Sequence, residues 1–219
     1  MELIISARRT SATDEDPRAR VGVHTVGSVA LGGLCGLAWA SGLRGFMAQV
    51  TTEPSNVTWT GTFALILVPG LVTGSLLGWA GHLRHTSSSS RGRWLVLSPF
   101  VFAVSPLIDL VRTGAALQGG IGGGTLAVPA IGMIGGYAIA GRRGWARAVC
   151  GLVALSVIPL WSLTATDVGG ETLGLTGARG LWVALYYWTF LAVLMVACAI
   201  PLRIGRPRLP EPSIAGVRP

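Results

Sequence analysis

The sequence predicts an all-α integral membrane protein, a bundle of six transmembrane helices with both tails in the cytoplasm. Three observations lead there. Of 219 residues, 51% are hydrophobic and only 12% charged, about half the charge typical of soluble domains. The apolar residues gather into six runs, most of roughly the 20 residues needed to cross a bilayer as a helix. The arginines between those runs fall alternately on a rich and a poor side, as a chain threading back and forth requires.

Residues 1–20 are polar and mixed in charge, with Arg8, Arg9, Arg18 and Arg20 around Asp14, Glu15 and Asp16; they read as a short disordered cytoplasmic tail. The first span is 21–43. A secretory signal is the alternative, with Arg8 and Arg9 before the apolar run and Ala38-Trp39-Ala40 as the cleavage site; the intervening acids and a run long enough to span oppose it. Residues 44–61 form a polar connection with Glu53 and a sequon at Asn56, a pattern common by chance. The second span, 62–83, contains Pro69, and a basic loop with a serine run follows at 84–93. The third, 94–113, contains Pro99 and Pro106, each of which frees a backbone carbonyl at membrane depth. Glycine-rich residues 114–120 lead to the fourth span, 121–140, and then to Arg142, Arg143 and Arg147. The fifth, 148–164, is short and interrupted by Pro159. After the polar stretch 165–180 comes the sixth, 181–202, which carries no charge; Trp182, Tyr186, Tyr187 and Trp188 crowd toward one end, as in an interfacial belt. Residues 203–219 are an extended Arg/Pro-rich cytoplasmic tail.

Orientation follows from the arginines. The N-tail has 4, the loop at 84–93 has 3, the loop at 141–147 has 3 and the C-tail has 4, against only Arg44, Arg112 and Arg179 on the other side. The positive-inside rule then places both tails in the cytoplasm. Small residues at spacing four mark a packing face on three spans: Ser28, Gly32, Gly36 and Ala40; Gly70, Gly74 and Gly78; Gly132, Gly136 and Ala140. The second and fourth spans also share a Gly-Thr, a later proline and a glycine ridge, a weak hint of parallel duplication.

Two groups of polar residues are candidates for function. Asp109 is the one acid inside an apolar run, and Arg112 shares its helix face at i and i+3. With Arg44, Arg179, Asp167, Glu171 and Glu53 they populate the external side, either as a site for an anion, a zwitterion or a proton, or as an ion pair that neutralises Asp109. His24, His82 and His85 lie toward the cytoplasmic ends of the first two spans. They are weak metal candidates, because no cysteine or carboxylate lies near them in the sequence to complete a ligand set.

The exclusions are informative. All 17 basic residues are arginine, so no lysine can form a Schiff base or serve a phosphate loop. Cys35, Cys150 and Cys198 are isolated in apolar runs and read as small hydrophobes. No hydrolase, zinc-protease or phosphate-loop motif occurs, and no cofactor is expected. The net charge of +8 sits beside apolar runs, a topology signal rather than a nucleic-acid footprint. The expected partners are the lipid bilayer and other membrane subunits or further copies of the chain, not nucleic acid, in a plasma membrane of bacterial inner-membrane type. The favoured function is non-enzymatic: moving or binding a small solute, transporter-like, or serving as a subunit of a complex. The alternative is a membrane enzyme with an outward site at Asp109, Arg112 and Arg44.

Overall fold

The computed structural model describes residues 17–51, 57–86, 90–104 and 121–204. All regular structure among them is helical. Four helices are long and apolar enough to cross a membrane, and shorter apolar helical stretches cover Gly92–Phe102 and Leu126–Ala140.

Helix α1 spans Pro17–Val50, 34 residues and about 51 Å at 1.5 Å per residue. It starts before and ends after the run at 21–43, so residues 17–20 are helical rather than tail. The reason is local: between Leu43 and Pro54 the chain holds only Gly45 as a helix breaker, and a helix propagates past the apolar boundary until something stops it.

A π-helical stretch, Trp59–Leu67, opens the second apolar run. Thr58 caps it, its hydroxyl accepting from the Gly61 N–H at 3.0 Å. The Val68 N–H still reaches back five residues to the Phe63 carbonyl. The next residue, Pro69, has no N–H to place, so the change to α spacing falls where it leaves no donor stranded. Helix α2, Val68–Thr86, continues from there and ends on Arg84 and His85, basic groups suited to a helix C-terminus.

The third apolar run differs from expectation. Ser90–Ala103 is a 3₁₀ helix through Pro99, unusually long for a form rarely exceeding four residues. Buried Thr73 of α2 donates to the Ser98 carbonyl at 3.2 Å, beside the proline, and so pins the segment to α2. Leu95 is fully buried against Ala80 and Ile204.

Helix α3 is Ile121–Ala140, α4 is Gly144–Gly169 and α5 is Ala178–Leu202. Pro159 does not break α4, which runs four residues before and five after the expected 148–164; a transmembrane helix tolerates a proline when neighbouring groups take up the freed carbonyl. The helix stops at Gly170, whose φ of 75° with ψ of −179° only glycine adopts readily. A 3₁₀ turn, Glu171–Leu173, then leads into α5. Helix α1 packs along α2, α3 packs mainly on α5, and α4 lies against α3. The interior core joins Ala40, Leu43, Phe102, Val157, Phe190 and Leu191.

Candidate functional site

Two glycine faces meet between α1 and α2. A Cβ on Gly36 would lie 2.8 Å from the Gly74 Cα, and one on Gly74 would lie 2.7 Å from the Gly36 Cα. Gly32 and Gly78 oppose each other in the same way, and Gly70 backs onto Ala40. The helices run antiparallel, so each step of four along one matches a step of four back along the other. On α3, Gly132 and Gly136 face α5 instead: added Cβ atoms would lie 2.6 Å from Leu194 Cγ and 2.7 Å from Cys198 Cβ.

Alongside the α1–α2 contact runs a cleft of about 750 Å³. Its walls come from α1, α2 and α5, with Phe102 of the 3₁₀ helix, and it extends from His24 to Trp39 on α1, about 22 Å of helix. The depth is apolar: Leu31, Leu77, Phe102, Val193, Leu194 and Ile200, with the glycines as floor. One end is polar and basic, where His24, His82, Arg84 and His85 line the cleft. Thr25 of α1 and His82 of α2 share a hydrogen bond of 2.9 Å there, holding the mouth at a defined width. The three histidines, from two helices, thus line one opening. Among the described residues, no group of three or more His, Cys, Asp or Glu side chains could hold a metal ion.

The second cavity, about 320 Å³, lies toward the Val50 end of α1. Trp39, Phe46, Phe102, Trp161 and Tyr187 supply aromatic walls, with Leu43, Met47, Val128 and Pro129 between them. Phe46 stacks on Tyr187 with ring centroids 5.2 Å apart, and Trp161 tilts against Tyr187 at 4.7 Å. Trp39 and Phe102 line both cavities. Trp39 is fixed where they meet, stacked on Phe190 at 4.1 Å and donating its indole N–H to the Phe190 carbonyl at 3.1 Å.

The external candidates are placed differently. Asp109, Arg112 and Glu53 lie outside the described residues. Arg44 Nε donates to Thr62 Oγ1 at 3.4 Å, and Arg179 Nη2 donates to the Gln49 carbonyl at 3.4 Å. Asp167 and Glu171 are exposed at the α4–α5 connection. None of Arg44, Arg179, Asp167 and Glu171 lines either cavity. The aromatic group went unnoticed in the sequence because its members come from separate segments. Only the crowd at the start of α5 hinted at it, and there Tyr187 and Trp188 pack inward with Trp161 and Phe46 rather than forming a belt. No family model, curated protein or solved structure matches this chain.

Proposed function

We propose that this chain is a non-enzymatic, six-span membrane protein with both tails in the cytoplasm, and that the α1–α2–α5 cleft binds an acidic phospholipid of the cytoplasmic leaflet. One observation carries the reading: an apolar groove about 22 Å long, measured along α1, that ends in His24, His82, Arg84 and His85. Long apolar walls suit acyl chains, which gain by leaving neither water nor voids behind. A cationic mouth between transmembrane helices at the cytoplasmic surface suits a phosphate headgroup. Four helices of spanning length and the 14-to-3 arginine split support the membrane setting and the orientation.

The test uses the full chain in phosphatidylcholine nanodiscs containing a small fraction of phosphatidylglycerol, with retained lipid counted by native mass spectrometry. Phosphatidylglycerol should be retained in preference to phosphatidylcholine. Arg84→Gln should weaken that preference, and Ala197→Phe, which fills the cleft from α5, should abolish retention. Equal retention of the two lipids by the unaltered protein refutes the reading.

A further inference from the structure

The two cavities share a wall. Trp39 of α1 and Phe102 of the 3₁₀ helix line both of them. Neither ring is loose. Trp39 is stacked on Phe190 at 4.1 Å with its indole N–H bonded to the Phe190 carbonyl, and Phe102, itself buried, meets Trp39 edge-on at 5.5 Å. Beyond this partition the chemistry of the lining changes little: Leu43, Met47 and Val128 are as apolar as Leu31, Leu77 and Leu194 before it. A hydrocarbon chain would gain as much on the far side as on the near side, and only the two rings keep it out.

We infer that Trp39 sets the length of the acyl chain that the α1–α2–α5 cleft accepts, with a limit of about 18 carbons; the inference rests on the lipid reading above. The limit follows from geometry. From the mouth at His24 to Trp39 the groove measures about 22 Å along α1. Carbon–carbon bonds of about 1.52 Å meeting at about 111° advance about 1.25 Å each, so an extended chain of about 18 carbons fills that length. Removing the indole would join the groove to the second cavity, which continues along α1 to Thr51, about 18 Å farther. That is room for about 14 more carbons. Cys35 lies one helical turn nearer the mouth than Trp39, on the same face, and lines the groove with an exposed side chain. A large ring there would stop a chain after about 16 Å of helix, or about 13 carbons. The limit is thus movable in both directions from α1.

The probes are three phosphatidylglycerols, each with two identical saturated chains: dilauroyl, dipalmitoyl and dilignoceroyl, of twelve, sixteen and twenty-four carbons. Identical chains ensure that whichever one enters has the stated length. Equal small amounts are mixed into phosphatidylcholine nanodiscs holding the protein, and native mass spectrometry, which separates the three by mass, counts those retained. Each count is divided by that lipid's share in an extract of the same nanodiscs. The unaltered protein should retain the dilauroyl and dipalmitoyl lipids at least about fivefold better than the dilignoceroyl lipid, the low end of the cost of overfilling a packed space. Trp39→Ala should erase that difference. Cys35→Trp, which leaves Trp39 and its contacts in place, should keep the dilauroyl lipid and retain the dipalmitoyl lipid at least about fivefold less well. It decides the matter should Trp39→Ala fail to fold. Three results overturn the inference: equal retention of dipalmitoyl and dilignoceroyl lipids by the unaltered protein, a folded Trp39→Ala protein that still discriminates, or a Cys35→Trp protein that treats dilauroyl and dipalmitoyl lipids alike. The headgroup preference is read separately, from phosphatidylglycerol against phosphatidylcholine of equal chains, so either selectivity can fail without the other. Retention of no lipid at all overturns both.

Discussion

Gly74→Ala would place a methyl group between two helix backbones. The added Cβ would lie 2.7 Å from the Gly36 Cα and 2.8 Å from the Gly36 N, where carbon atoms in good contact stand about 3.5–4.0 Å apart. Backbone cannot rotate away as a side chain can, so α1 and α2 must part by roughly 1 Å, a gap that forfeits a quarter to a half of each dispersion contact. Overpacking of this kind costs about 1–3 kcal/mol, against which alanine's better helix propensity returns up to about 1 kcal/mol. Gly27→Ala supplies the correction, because a Cβ there meets nothing within 4 Å and leaves only the propensity term. Subtracting one variant from the other isolates the clash: Gly74→Ala should unfold with about 1–3 kcal/mol less stability than Gly27→Ala. For a chain of this size each kcal/mol corresponds to roughly 2–4 °C. The assay is thermal unfolding of both variants in identical nanodiscs. Equal midpoints would falsify the close approach of the two glycine faces.

Three further expectations follow from single contacts. Thr73→Val removes the hydroxyl that donates to the Ser98 carbonyl and should cost about 1–2 kcal/mol, whereas Thr73→Ser should retain most of it; equal loss in both, read by the same thermal assay, would assign the effect to packing. Gly170→Ala meets no neighbour within 4 Å, so its expected loss of about 1–3 kcal/mol comes from the backbone angles alone, and an unchanged midpoint would show that the α4 terminus relaxes. Reporter fusions at Gly144 and after Pro219 should read cytoplasmic and a fusion at Gly170 external under the proposed topology, in which α4 and α5 each cross the membrane between these points; a cytoplasmic reading at Gly170 would break the six-span proposal.

The sequence revealed some of this geometry and hid the rest for identifiable reasons. Spacing of four marked a close-packing face on α1 and another on α2, because periodicity is a property of one helix. That the two faces meet each other, while the α3 face meets Leu194 and Cys198, depends on tertiary arrangement. The helical class was legible from apolar run length, but the ends were not: α1 continues past Leu43 because the chain offers no strong breaker there. Prolines announced irregularity in the third run without distinguishing a kinked α-helix from the 3₁₀ form observed. The histidines were legible as a group near one end of the first two spans, whereas Arg84 registered only as a topology signal and not as part of the same mouth. Four aromatics within seven residues looked like a belt, yet at about 100° per residue they cannot share one face. Tyr187 and Trp188 turn inward, and their partner Trp161 comes from a helix 26 positions earlier in the chain, beyond the reach of any local pattern.

The glycine faces also explain why a cleft exists beside them. Helix α1 lies so close to α2 that their backbones touch, which leaves no side chains along that line to fill the space above it. Helix α5 reaches α2 through Ala80 and Ile200 at one end, and it meets α1 through Trp39 stacked on Phe190 farther along. Between those two supports nothing large projects from the glycine floor, so Gly32, Gly36, Gly70, Gly74 and Gly78 become lining residues of the cleft as well as contact residues. Leu31, Leu77 and Leu194 then form walls around a floor of bare backbone. The same five glycines serve both helix contact and groove, and Trp39, the one bulky aromatic on that stretch of α1, sets where the groove ends and the aromatic cavity begins.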